Sequence, residues 1–188
     1  MKKLVVYICL LMICSGIVIV FWKQELVYAL PTSVPKNYNP VKLGEELILS
    51  FNSTKKEKPL FVHFFNPECP CSRFNMKHFK SLVRTYGQKV NFIMVVQTND
   101  LSLSAERVKN SFDIEIPCII DNGKKIADKC GVYSTPQAVI IDVKDKLYYR
   151  GNYNKARYCS DKKSDFAQIA LDSLLNKSNQ PVYTELAT

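Results

Sequence analysis

LFVHFFNPECPCSRFN, residues 60–75, joins an apolar run to a polar turn, two cysteines and a helix-forming segment. The apolar residues of 60–65 occupy consecutive positions and include several aromatics, which is typical of a strand covered on both faces. Cys69 and Cys71 follow at the start of the predicted helix, where unpaired backbone amides and the helix dipole favour a thiolate. We therefore expect the chemistry of the protein at Cys69 and Cys71.

Strands and helices alternate along the chain on both sides of this stretch. The predicted active helix, 72–86, carries apolar residues at three- and four-residue steps and stops at Gly87; they are Phe74, Phe79, Leu82, Val83 and Tyr86. Further strands are predicted at 47–51, 90–96, 117–120, 138–142 and 146–150, and further helices at 102–112, 124–130 and 165–175. The last two strands form a hairpin. The pattern predicts an α/β fold with a mixed central sheet and helices on both faces.

An uncharged run of nineteen residues, 4–22, begins directly after Lys2 and Lys3 and ends at Lys23. A spanning helix needs roughly twenty such residues, whereas the apolar core of a signal peptide has ~7–15. The positive-inside rule then places the N-terminus in the cytoplasm and the rest outside, which is the periplasm in a Gram-negative cell. We predict a single-pass membrane anchor at 1–23; the alternative is a long signal peptide cleaved after Ala29.

Proline punctuates the segment that follows the anchor. Pro31, Pro35 and Pro40 interrupt residues 24–42, which have no sustained apolar period and therefore predict an extended linker. The folded domain is predicted at 43–176, and we expect a polar, flexible tail at 177–188. One domain with an anchor accounts for the 188 residues.

The outer part carries a positive charge but no nucleic-acid signature. The net charge is +9, of which three lysines flank the anchor, so about +6 remains outside. The basic residues are scattered along the sequence and do not interleave with aromatics, so we expect no nucleic-acid partner. The charge favours solvation and attraction to an anionic membrane surface.

Five of the seven cysteines lie beyond the anchor, at 69, 71, 118, 130 and 159. An odd number in an oxidising compartment means that at least one thiol is free or transiently paired. Cys118 lies in an apolar strand, where a thiol usually packs as a small hydrophobe. A Cys118–Cys130 bridge stays open, because spacing alone does not give connectivity.

Three segments resemble the thioredoxin-like redoxin group, which includes membrane-anchored thiol–disulfide oxidoreductases and AhpC/TSA-type peroxiredoxins. They are FVHFFNPECPCSRFN at 61–75, IPCIIDNGKKIADKCGVYSTPQAVIID at 116–142 and YYRGNY at 148–153. The resemblance extends over 43–175 and implies a thioredoxin-like fold. GVYSTP at 131–136 is similar to the group's G-V-x-x-T-P segment, whose proline is cis and lies against the active cysteine. The resemblance therefore implies that Thr135 and Pro136 shape a substrate groove.

The cysteine motif departs from the group's C-x-x-C pair. Cys69 matches the nucleophilic position, but Ser72 stands at the resolving position and Cys71 comes one residue early. Cα atoms two residues apart span about 5.5–7 Å, near the limit of the ~4.4–6.8 Å that disulfides tolerate, so a Cys-Pro-Cys bridge favours disulfide donation or isomerisation. We expect Cys71 to resolve the mixed disulfide, with Cys159 as the alternative.

Thiol exchange needs no bound cofactor and no metal, because the electrons come from a partner protein. The expected partners are protein thiols or disulfides as substrates and a redox partner protein. A peroxiredoxin would carry P-x-x-x-T-x-x-C, but Val62 and Asn66 stand at the two positions counted back from Cys69.

A copper chaperone is the alternative from another class, because two close thiolates suit Cu(I). Such folds usually add a distant histidine, whereas His63 and His78 both lie within nine residues of the cysteines. We expect His63 in the core and His78 on the solvent side of the active helix. A purely structural role for Cys69 and Cys71 conflicts with the polar turn before them.

Overall fold

The structure is a computed structural model that describes residues 2–29, 32–51, 57–154 and 162–176. The chain divides into two units, of which the first ends at Ser33 and the second begins at Val34.

The first unit contains one helix, α1, Lys2–Ala29. An 18-residue stretch within its segment Lys2–Lys23 has a mean hydropathy of 3.0, and the segment is long and apolar enough to cross a membrane, which fits the predicted single-pass anchor. Residues 24–29, which the sequence assigned to the extended linker, continue the helix.

The second unit is built on five strands, β1 (Leu60–Phe65), β2 (Asn91–Val96), β3 (Cys118–Ile120), β4 (Gln137–Ile141) and β5 (Leu147–Gly151). Their order in the sheet is β3-β2-β1-β4-β5. β1 pairs in parallel with β2, and β2 with β3, whereas β4 is antiparallel to both β1 and β5. The mixed sheet confirms the prediction, and β1 lies at its centre.

The described part of the unit also contains four α-helices: α2 (Pro70–Tyr86), α3 (Ala105–Phe112), α4 (Lys125–Cys130) and α5 (Phe166–Leu175). Alternate residues of β1 face opposite sides of the sheet. Phe61 and Phe65 pack with apolar residues of α2, α3 and α5, whereas Val62 and Phe64 pack with α4 and with Leu47 and Leu49. Both faces of the sheet are therefore covered, as the consecutive apolar residues of β1 predict.

The predicted edge strand at 47–51 is absent from the described residues. Glu46 forms an isolated bridge with Lys146, and Leu47 donates its amide to the Asp145 carbonyl. Leu47 and Leu49 are almost fully buried, at 1% and 2% exposure. Their apolar alternation reflects packing of an irregular segment on the sheet, so the prediction of a strand was wrong.

Residues assigned to the linker contact this unit. Tyr38 packs edge-on against Tyr133 and donates its hydroxyl to the Gly131 carbonyl at 2.7 Å. A side chain at Gly131 would meet Pro40 and Arg150 within 3 Å, and the positive φ of 69° also favours glycine there. Residues between Ser33 and Leu43 therefore pack on the domain, which begins earlier than the predicted boundary at Leu43.

Candidate active site

The turn between β1 and α2 is held by its own polar groups. The Cys69 amide donates to the Asn66 carbonyl at 3.1 Å, and the Glu68 amide donates to Asn66 Oδ1 at 2.8 Å. The Asn66 amide donates in turn to Ser72 Oγ at 3.3 Å, and Ser72 is fully buried. These bonds fix the path of the chain from the end of the strand into the helix.

Cys69 is the N-cap residue of α2, and Pro70 begins the helix. Cys69 has extended φ/ψ angles of −85° and 121°, and its carbonyl accepts the first helical hydrogen bond, from the Arg73 amide at 3.2 Å. Proline suits this position because the first helical amide has no intrahelical partner. Cys69 and Cys71 are both half-buried. The helix begins two residues earlier than predicted.

Thr135 and Pro136 lie opposite Cys69. The Cys69 sulfur is 4.0 Å from the Thr135 carbonyl oxygen, and the Thr135–Pro136 peptide bond is cis, as the resemblance implied. The sheet brings the two segments together, because β1 and β4 are antiparallel and Phe64 pairs with Gln137. The end of β1 and the start of β4 therefore meet at one edge of the sheet.

A polar pair is buried in the core on the α2 side of the sheet. His63, in the middle of β1, is fully buried, and its Nδ1 lies 2.6 Å from the Tyr153 hydroxyl. Its ring stacks on Phe79 of α2 with centroids 4.0 Å apart. The pKa of His63 is lowered to about 3, chiefly by burial and to a smaller extent by the nearby His78. The prediction of a core histidine is confirmed.

His78 and Phe74 differ from expectation in opposite directions. The buried Nε2 of His78 has no hydrogen-bond partner among the described residues, and its ring lies edge-on to Tyr153. Burial lowers the pKa of His78, opposed by Asp165. Phe74, predicted on the apolar face of α2, is 58% exposed. Both predictions were wrong because α2 buries a face that also carries Ser72 and Asn75.

Two other cysteines have no place in this site. Cys118 packs with the cluster on the α2 side, whereas Cys130 is fully buried in the cluster on the opposite face. Both are free thiols, so the Cys118–Cys130 bridge that the sequence left open is absent. Burial raises their pKa values, to about 11 for Cys118 and about 12 for Cys130, which keeps both thiols protonated and unreactive. Cys159 and the predicted tail at 177–188 lie outside the described residues.

Sequence reasoning missed the roles of Ser72 and Tyr153. In the sequence, Ser72 only replaces the resolving cysteine, although a serine at N3 of a helix can form a hydrogen bond with the turn before it. Tyr153 belongs to the quoted segment YYRGNY, but no local pattern links it to a histidine ninety residues earlier. The signal that was available is His63 itself, because a polar residue inside an otherwise apolar, buried strand needs a hydrogen-bond partner.

The family comparison covers most of the chain. A family model described as "Domain of unknown function (DUF6436)" matches residues 41–188. The chain belongs to the DUF6436 family. The match begins at Val41, within the segment that packs on the sheet.

This DUF6436 member is similar to named relatives and to solved structures. It is 26% identical over 85 residues to the thiol-disulfide oxidoreductase ResA of Halalkalibacterium halodurans, covering 45% of this chain and 48% of that one. The chain thus spans about half the length of that curated relative. A hypothetical protein of Sinorhizobium meliloti aligns with TM-score 0.64 and 19% identity, over 79% of this chain and 91% of the other. A putative thioredoxin of Neisseria meningitidis aligns with TM-score 0.52 and 17% identity, over 65% and 77%. The fold is thioredoxin-like.

Proposed function

We propose that this protein is a membrane-anchored, extracytoplasmic thiol–disulfide oxidoreductase whose nucleophile is Cys69. The observation that carries the proposal is the position of the Cys69 sulfur, at the N-cap of α2 and 4.0 Å from the Thr135 carbonyl. A half-buried thiol at a helix N-terminus is open to a substrate and close to free backbone amides. The curated relatives are named thiol-disulfide oxidoreductases, which supports the same reaction.

The exchange has two steps. The Cys69 thiolate attacks one sulfur of a substrate disulfide, which forms a mixed disulfide and releases one substrate thiolate. The Cys71 thiolate then attacks the Cys69 sulfur, which forms the Cys69–Cys71 disulfide and releases the second substrate thiolate. Two electrons pass from the enzyme to the substrate, and a protein dithiol restores the reduced enzyme. In disulfide donation the same steps run in reverse.

The groove opposite Cys69 orients the substrate. The Thr135 carbonyl faces the thiol, and Pro136 next to it has no amide hydrogen. An extended substrate segment can pair with the Thr135 backbone as an added strand, which brings its sulfur to Cys69. Thr135 and Pro136 are thus assigned to substrate positioning.

The decisive experiment traps the mixed disulfide. Full-length protein in a neutral detergent, with Cys71→Ser, is mixed with a cystine peptide, and the adduct is measured by non-reducing electrophoresis and mass spectrometry. We expect Cys71→Ser to accumulate the adduct through Cys69 and Cys69→Ser to form none. Cys118→Ser is the matched control. We expect it to react as the wild type does, because the Cys118 thiol is half-buried and its raised pKa keeps it protonated.

Two outcomes contradict the proposal. If neither variant traps a peptide and both lose tight Cu(I) binding, the protein is a copper-binding module. If Cys69 consumes hydrogen peroxide at catalytic rates while disulfides stay unreacted, the protein is a peroxidase.

The same assay identifies the resolving thiol. If the adduct persists in Cys159→Ser and is resolved in Cys71→Ser, the resolving thiol is Cys159.

A further inference from the structure

The exposed face of α2 carries a line of positive charge. Arg73, Lys77, Lys80 and Arg84 follow one another at steps of four, three and four residues, which places them on one stripe of the helix. Arg73, Lys77 and Arg84 are exposed, and Lys80 is half-buried. The stripe is about 16 Å long at ~1.5 Å per residue. Residues that looked scattered in the sequence are therefore aligned by the helix.

Few acidic residues in the described ranges neutralise this stripe. Between Pro70 and Tyr86 the helix contains no acidic residue. Within the described part of the chain, the only acidic partner of the four is Asp113, which lies 3.3 Å from Lys80. Uncompensated charges of one sign raise the local concentration of ligands of the opposite sign.

The stripe starts beside the reactive thiol. Arg73 is four residues from Cys69 and donates its amide to the Cys69 carbonyl. Phe74, next to Arg73 and one turn from Pro70, exposes 58% of its surface. Glu68 is the acidic residue of the active turn, and its carboxylate accepts a hydrogen bond from the Thr98 hydroxyl at 3.0 Å. The charged residues that flank Cys69 along the chain are therefore Glu68, which is negative, and Arg73, which is positive and begins the stripe.

We propose that the stripe formed by Arg73, Lys77, Lys80 and Arg84 docks an acidic segment of the protein substrate and guides its disulfide to Cys69. This inference rests on the proposed function and names the class of partner. A negatively charged segment laid along the helix pairs with successive cations and ends at the thiol. The exposed ring of Phe74 contacts an apolar residue of the substrate segment that lies next to the substrate's cysteine.

The geometry favours a polypeptide over a membrane surface. A flat bilayer pressed on a stripe that begins at Arg73 would also cover the entrance to Cys69, which a substrate disulfide must enter. A narrow line of charge matches an extended chain, whose charged groups are also arranged along a line.

The test uses the reduced full-length protein in a neutral detergent and three oxidised probes. Two are peptides with the same internal cystine, one flanked by four Asp and the other by four Lys; the third is the neutral bis(2-hydroxyethyl) disulfide. Each rate constant for a peptide is divided by that for the neutral disulfide in the same variant. For the wild type at ~20 mM ionic strength, we expect the acidic ratio to exceed the basic ratio about tenfold and the two to converge near ~0.5 M salt.

The triple variant Arg73→Gln, Lys77→Gln, Arg84→Gln removes three charges and leaves the Lys80–Asp113 pair in place. We expect it to abolish the preference for the acidic peptide. The matched control, Lys125→Gln, Lys129→Gln, Lys144→Gln, removes the same charge from α4 and the hairpin and keeps the preference. Thermal unfolding followed by circular dichroism verifies that both variants fold.

The outcomes separate the two proposals. No reaction of the wild type with the neutral disulfide removes the proposed function, and the docking inference with it. Reaction with the neutral disulfide but equal rates for both peptides, or an equal loss in the control variant, overturns the docking inference alone. The stripe binds the membrane instead if three results occur together. The two peptides react at equal rates, anionic vesicles slow the reaction with the neutral disulfide, and the triple variant abolishes this slowing.

Discussion

His63 shows how one polar residue can occupy the centre of an apolar strand. It is fully buried, stacked on Phe79 and bonded through Nδ1 to the Tyr153 hydroxyl. Protonation would place an uncompensated charge in the core, next to His78, so the folded protein holds the ring neutral. This arrangement makes the stability of the folded protein sensitive to acid.

The pH dependence of stability follows from the lowered pKa. The unfolded chain protonates His63 near pH 6.5, whereas the folded protein does so only near pH 3, so stability present above pH 6.5 is lost as the pH falls toward 3. Between pH 7 and pH 5 the loss from one such group is about 2 kcal/mol. We expect His63→Gln to be less stable at pH 7 but to lose less on acidification, measured by chemical unfolding in neutral detergent.

His78→Gln is the control for this experiment, because it removes the neighbouring imidazole and keeps His63. It should retain most of the acid destabilisation that is caused by His63. An unchanged pH dependence in His63→Gln would show that the folded protein does not hold this ring neutral. Keeping the window above pH 5 limits the contribution of the carboxylates, whose ordinary pKa values are about 4.

At the scale of single elements, the stability of α4 depends on capping more than on the helix propensity of its six residues. Asp121, at the end of β3, is 4% exposed and accepts hydrogen bonds from the Ile126 and Ala127 amides, both at 2.9 Å. A helix this short has little stability of its own. Its buried end depends on the carboxylate that receives its first amides.

Asp121→Ala should therefore destabilise the domain strongly. Two amides would lose a charged acceptor in a buried place, and we expect the free energy of unfolding to fall by about 3 kcal/mol. Asp128→Ala, on the exposed side of the same helix, should cost less than about 0.5 kcal/mol. Equal losses in the two variants, measured by denaturant titration, would contradict the capping role.

At the scale of the whole molecule, α1 and the domain imply different surroundings. The segment Lys2–Lys23 is apolar enough for a bilayer, whereas the second unit has its own core around a five-stranded sheet. Lysines on the N-terminal side of the span favour a cytoplasmic N-terminus and a domain on the outer side.

Protease added to intact spheroplasts should degrade the domain, and high salt should leave full-length protein in the membrane fraction. A cytoplasmic protein serves as the control for spheroplast integrity. Mass spectrometry of the purified protein should find residues 1–29 intact. A soluble product that begins after Ala29 would establish a cleaved signal peptide, and a domain resistant to protease would reverse the topology.

Local patterns were sufficient for much of this molecule. Strand β1, helix α2 and the position of Cys69 at the helix start follow from apolar periodicity and from proline at N1, because these depend on neighbours a few residues away. The same local view failed for residues 47–51, where alternation reflected packing on a sheet and not membership in it. It also failed for Phe74 and His78, because periodicity does not determine which side of a half-polar helix meets the core.

The sequence by itself determined the apolar segment, the order of strands and helices and the presence of two cysteines at a helix start, since each is written in contiguous residues. Only the tertiary structure placed the Thr135 carbonyl 4.0 Å from the Cys69 sulfur and paired His63 with Tyr153. These contacts join residues 66 and 90 positions apart. They arise because β4 and the chain after β5 return to the edge where β1 ends, and that pairing is a property of the folded sheet.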